Sequence, residues 1–105
     1  MIARVWRGWT TPQNADRYEK LLRDEIFPGI EAKEVAGYQG IRLLRRPVSD
    51  EIEFVTLMLF DSLEDVKAFA GEDYEAAYVP EAAREVLARF DERSIHYEVR
   101  SSLDY

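Results

Sequence analysis

Glu51-Ile52-Glu53-Phe54-Val55-Thr56-Leu57-Met58-Leu59-Phe60 is the stretch on which the fold turns. A strand sends successive side chains to opposite faces of its sheet. Phe54, Met58 and Phe60 therefore share one face and Val55, Leu57 and Leu59 the other, with Thr56 alone breaking the apolar run. An antiparallel sheet wet on one side alternates apolar with polar residues. This strand does not alternate, so both of its faces need a cover. At about 25 cal/mol per Å2, three large side chains left in water forgo several kcal/mol, and monomers avoid apolar patches of that kind. The protein's own helices cover one face. The simplest cover for the other is a second copy of the same sheet, since two-fold dimers are the commonest assembly. Ser101 to Tyr105 is too short and too polar to do it instead.

Outward from this strand, Pro47-Val48-Ser49-Asp50 is a turn of hairpin length, which predicts an antiparallel partner over Tyr38–Arg46. In that partner Ile41 and Leu43 share one face and Arg42 lies on the other. Ile2–Trp9, rich in β-branched and aromatic residues, reads as the first strand. Thr11 and Pro12 announce a helix, as cap and first helical residue. Ala15, Tyr18, Leu22 and Ile26 recur on one side of it until Pro28-Gly29 kinks or ends it, with one more turn through Ala32. After the central strand, Ser62-Leu63-Glu64-Asp65 resembles a capping box and opens a helix carrying Val66, Phe69 and Ala70 inward, with Gly71 as terminator. Glu72–Tyr78 is either helical or a flap. Pro80 starts a further helix with Ala83, Val86, Leu87 and Phe90 on one stripe, and Arg93–Arg100 is a last strand. This order implies one α+β domain over residues 1–105, a ferredoxin-like βαββαβ unit whose four-stranded antiparallel sheet has helices on one face.

Composition removes several classes of function. A net charge of −7 excludes nucleic acid as a partner, because a phosphate backbone needs a basic stripe and Arg42, Arg45 and Arg46 form only a short run. Without cysteine there is no disulfide, thiolate metal site or cysteine nucleophile. The first seven residues interleave charges with apolar side chains, so no leader is expected, and no run reaches the roughly 20 apolar residues of a membrane span. A cytoplasmic location is the expectation. Gly-rich phosphate loops and Ser-His-Asp order are missing too.

The chain resembles the antibiotic biosynthesis monooxygenase family of the dimeric α/β-barrel superfamily. The resemblance runs from Ile2-Ala3-Arg4-Val5-Trp6 through Phe54 to Glu64 and on to Ser94-Ile95-His96-Tyr97-Glu98-Val99. It is clearest where the central strand passes through Phe60-Asp61-Ser62-Leu63-Glu64 into a helix bearing Phe69. It implies a homodimer joined through the sheet face, with a pocket between sheet and helices in each subunit. It also implies oxygenation of a small, electron-rich, polyketide-like aromatic compound by dioxygen, with no metal or flavin cofactor. Haem-degrading relatives carry an Asn on the first strand and a Trp and a His in the second helical region. Here the first strand offers Arg4, Trp6 and Arg7, Phe69 stands at the Trp position and the helical His is missing, so haem degradation is not implied.

His96 is the only histidine and suits a general base, since imidazole titrates between about pH 5 and 8. The alternative is a histidine hydrogen-bonded at a sheet edge or interface. One histidine makes no zinc site, which needs three or four convergent ligands. Arg4 or Arg42 would stabilise a developing phenolate, or else pair with surface acids. Trp6 and Trp9 point to opposite sides of their strand, so one of them can face a flat ligand. Tyr74 and Tyr78 share a side if their segment is helical, and with Trp6, Phe69 and Met58 they complete the expected substrate-binding set. The competing reading is a non-catalytic, ligand-binding or stress-related homodimer.

Overall fold

The structure, a computed structural model, describes residues 1–105. Strand β1 spans Ile2–Thr10, β2 Tyr38–Val48 and β3 Glu51–Phe60, with β3 in the middle of all three. The β2–β3 hairpin closes on Ser49 and Asp50, with Ser49 in the left-handed region at φ 53°. β1 lies antiparallel to β3, Ile2 opposite Phe60 and Thr10 opposite Ile52. The far edge of β1 is shared by two short strands, β4 (Arg89–Phe90) against Gly8 and Trp9, and β5 (Ile95–Glu98) against Ile2 to Val5. The sheet thus has five strands where four were expected, because the last strand position is broken in two. Between the pieces the chain bonds to the 72–78 segment instead, through Ala77 N–H to Glu92 O and Ser94 N–H to Glu75 O.

Helices cover one face of the sheet. α1 (Pro12–Leu21) is capped by Thr11, whose hydroxyl accepts from the Asn14 amide. A π turn (Leu22–Ile26) follows and leads directly into α2 (Phe27–Ala32), with Phe27 N–H reaching back five residues to Leu22 O. Pro28 can donate no hydrogen bond and its ring crowds the carbonyl four residues back. Opening the ladder just before it lets the helix run on instead of ending. α3 (Leu63–Ala70) has Ser62 as its cap, accepting from the Asp65 amide, and stops at Gly71, whose φ of 94° a side chain would strain.

The helix expected from Pro80 to Phe90 is far shorter. α4 is one turn, Glu81–Arg84, after which Ala88 N–H bonds to Trp9 O and draws Phe90 into the sheet. Tertiary pairing here overrides helical spacing. Ala83, Val86 and Leu87 are still buried, with Ala15, Tyr18, Leu22, Phe54 and Val79, in the larger core cluster. A smaller cluster holds Met58, Phe60 and Val66. No helix is long and apolar enough to cross a membrane.

Candidate active site

Register fixes which side chains look toward the helices. Phe54, Thr56, Met58 and Phe60 of β3 do so, and pairing carries Arg4, Trp6 and Gly8 of β1 and His96 of β5 to the same side. Leu57 and Leu59 look the other way, with Arg42, Leu44, Ile95 and Tyr97. Of these, Leu44, Ile95 and Tyr97 are 53%, 49% and 55% exposed. His96 and Trp6 are therefore on the helix side, and Arg42 is not. The sheet separates Arg42 from the other expected site residues, and β-strand parity is the reason.

Between sheet and helices lies a cavity of about 740 Å3, lined mostly by hydrophobic residues. Thr56, Ala70, Ala76, Ala77, Ala82 and Ala83 line it, and such short side chains leave the space unfilled. Trp6, Met58 and Phe69 line it as expected. The Trp6 ring is fixed by its Nε1–H donating to Asp91 O at 2.7 Å and by Phe90, 6.3 Å away between centroids. Gly8 makes room for it, because a Cβ there would come within 2.9 Å of the indole.

Arg4 also lines the cavity and is only 5% exposed. Its Nη1 donates to the carbonyl of Tyr74 and lies 3.0 Å from His96 Nε2, and its Nη2 donates to Ala76 O at 3.4 Å. A guanidinium has five N–H donors and no acceptor. Two donors stay unspent, one of them on Nε, and no carboxylate pairs with the charge. A buried charge is normally paired; here burial alone acts on Arg4 and lowers its pKa.

His96 stands behind Arg4 rather than in the cavity wall. Because Arg4 can only donate, His96 Nε2 accepts and the ring proton sits on Nδ1. Burial lowers the imidazole pKa, the Arg4 charge lowers it further, and Glu75 opposes both. Tyr74 meets His96 edge-on, with centroids 5.2 Å apart. The 72–78 segment is a loop and not a helix, which corrects the pairing of its two tyrosines. Tyr74 packs inside against His96, whereas Tyr78 stands at the cavity mouth, 83% exposed. Its carbonyls at Tyr74 and Ala76 are needed by Arg4, and that demand, with a turn closed by Ala76 N–H on Asp73 O, fixes the segment outside a helix.

Most of the lining residues lie outside the expected set, and Thr56 and Lys33 are two polar ones among them. Thr56, opposite both Trp6 and Leu43, was visible as the one break in the apolar strand. Lys33 lies past the π turn, where helical spacing no longer predicts a face, and its Nζ sits 4.8 Å from the Phe69 centroid. No group of three or more His, Asp and Glu side chains is placed to hold a metal ion.

No protein-family model matches the chain, and no curated protein does. Solved structures do. A candidate antibiotic biosynthesis monooxygenase from Bacillus cereus is 18% identical with a TM-score of 0.67, covering 99% of this chain and 97% of that one. The ActVA-Orf6 monooxygenase of Streptomyces coelicolor, in complex with nanaomycin D, is 15% identical with a TM-score of 0.66, covering 99% and 91%. The heme-degrader MhuD of Mycobacterium tuberculosis, with two hemes bound in its active site, is 18% identical with a TM-score of 0.61, covering 99% and 100%. The cavity lacks a histidine ligand for a haem iron. The one imidazole in the chain already gives its accepting nitrogen to Arg4. By its fold, the chain is a ferredoxin-like α+β protein on the plan of the antibiotic biosynthesis monooxygenases.

Proposed function

We propose that this chain is a homodimeric oxygenase that binds a flat, electron-rich phenol and oxidises it with dioxygen without a resident cofactor. The observation that carries the reading is Arg4, a buried cation with two free donors and no acid partner at the wall of an apolar cavity. A fixed cation in a dry site lowers the cost of making a phenolate and needs no reorganisation when the charge appears. The phenolate then supplies electrons to dioxygen. One oxygen atom enters the ring system, converting a ring CH2 to C=O, and the other leaves as water.

In this reading Trp6, Met58 and Phe69 hold the ring system, and Tyr78 is positioned to close over it. His96 is better suited to hold Arg4 than to act as a free base. Protonating it would set an imidazolium 3.0 Å from a guanidinium. The base role expected for it thus passes to solvent acting on an acidified phenol. Homodimerisation rests on the open face, where Leu44, Ile95 and Tyr97 are exposed and Leu57 and Leu59 are only half-buried by their own chain.

The test is oxygen uptake with a hydroxyanthrone as substrate. Stoichiometric uptake by the wild type is expected, with kcat for Arg4→Met lower by a factor of about 100 or more. Binding of the matching anthraquinone product without any enhanced oxygen uptake would instead favour the non-catalytic ligand-binding dimer.

A further inference from the structure

The cavity is lined by two cations and one acid, Arg4, Lys33 and Glu25, in a chain whose acids outnumber its Lys and Arg by 21 to 14. Neither cation has a carboxylate partner, although seven of the chain's arginines and one other lysine do. Both are tied to one ring. Arg4 Cζ lies 5.9 Å and Lys33 Nζ 4.8 Å from the Phe69 centroid. Arg4 is inside, and Lys33 is exposed at the mouth. Glu25 is eight residues before Lys33 on the same helical run, about 12 Å away along the axis at 1.5 Å per residue. The mouth therefore has a positive end beside Phe69 and a negative end away from it. Lys33 is the C-cap of α2, where a cation suits the helix dipole. That accounts for its sign and not for its place over an aromatic ring in the cavity wall.

We propose that the natural substrate is an aromatic acid whose phenolic oxygen meets Arg4 and whose carboxylate arm is received by Lys33 beside Phe69. This rests on the oxygenase reading above, and narrows its substrate class from phenols to phenols bearing an ionised side arm. A carboxylate near Phe69 also meets the positive edge of its ring, as an aromatic quadrupole allows. The opposite arrangement, with the arm toward Glu25, sets like charges together.

The test uses two redox-inert probes, a dihydroxyanthraquinone and the same compound with one ring carboxylate, titrated by quenching of tryptophan fluorescence. The carboxylate is expected to bind the wild type about fivefold more tightly at low salt, as suits one partly exposed charge pair. The preference should shrink toward one as salt rises. Lys33→Met should bring the ratio to about one, Lys33→Arg should keep it and Lys33→Glu should invert it. Equal binding of the two probes by the wild type, or a preference that survives Lys33→Met, overturns the carboxylate subsite and leaves the aromatic pocket standing. Binding of neither probe overturns both.

Discussion

Leu57→Lys should turn the protein into a monomer. Leu57 is in the middle of β3, opposite Val5 on one side and Arg42 on the other, and it looks away from the helices. It belongs to neither buried cluster, so the fold does not depend on it. In a two-fold dimer joined through this face, a partner covers what remains exposed of Leu57, worth roughly 1 kcal/mol per copy. Desolvating an ammonium there costs at least about 1 kcal/mol more per copy. Symmetry doubles both, giving about 4 kcal/mol or about a thousandfold in the dissociation constant. Arg42 next to the new charge adds to the effect. Sedimentation velocity across a concentration series reads it directly, as a species of 12.3 kDa against one of twice that mass, with circular dichroism checking the fold. A wild type that sediments at 12.3 kDa at every concentration refutes the covered-face reasoning, and so does a Leu57→Lys variant that stays dimeric.

Three further outcomes are expected. His96 has a folded-state pKa below its ordinary 6.5, so the unfolded chain takes up a proton first as pH falls. Stability should drop as pH falls from 6.5 to the folded-state value and then level off, and urea midpoints for His96→Gln should lack that drop. Ligand quenching should come from Trp6 alone, since Trp9 is on the opposite face. Trp9→Phe should keep the quench and Trp6→Phe should lose it. Phe54→Ala, at a fully buried ring edge-on to Tyr18 at 4.9 Å, should cost about 3–5 kcal/mol in urea unfolding with an unchanged m-value.

The central strand was legible to the residue, Glu51 to Phe60, because both of its faces are apolar and its turn is short. The caps at Thr11 and Ser62 and the stop at Gly71 were legible for a local reason: each depends on three or four neighbouring residues. The site was legible in its residue types and not in its arrangement. β1 carries an arginine and a tryptophan on each face, Arg4 and Trp6 on one and Arg7 and Trp9 on the other, so its parity cannot be read from composition. Only the pairing of Arg4 with His96, across 92 positions of sequence, shows which arginine is buried. The 72–78 loop escaped for a related reason. Its shape is set by a guanidinium from β1 and by backbone bonds to residues 92 and 94, none of which is local.

The π turn at Leu22–Ile26 makes this pocket sensitive to a kind of change that point substitution does not produce. A π turn holds one residue more than the α turn it replaces, so it behaves as an insertion absorbed within a helix. Deleting a single exposed residue there, such as Arg23, would restore an unbroken α ladder with the face after it kept, so Ile30 and Lys33 would stay on the cavity wall and Pro28 would be left inside a regular helix. A second deletion would have no spare residue to draw on and would rotate everything after it by about 100°, swinging Ile30 and Lys33 off the wall together. The helix thus tolerates the loss of one codon and not of two, and the second changes the mouth while Arg4, Trp6 and the sheet stay as they are.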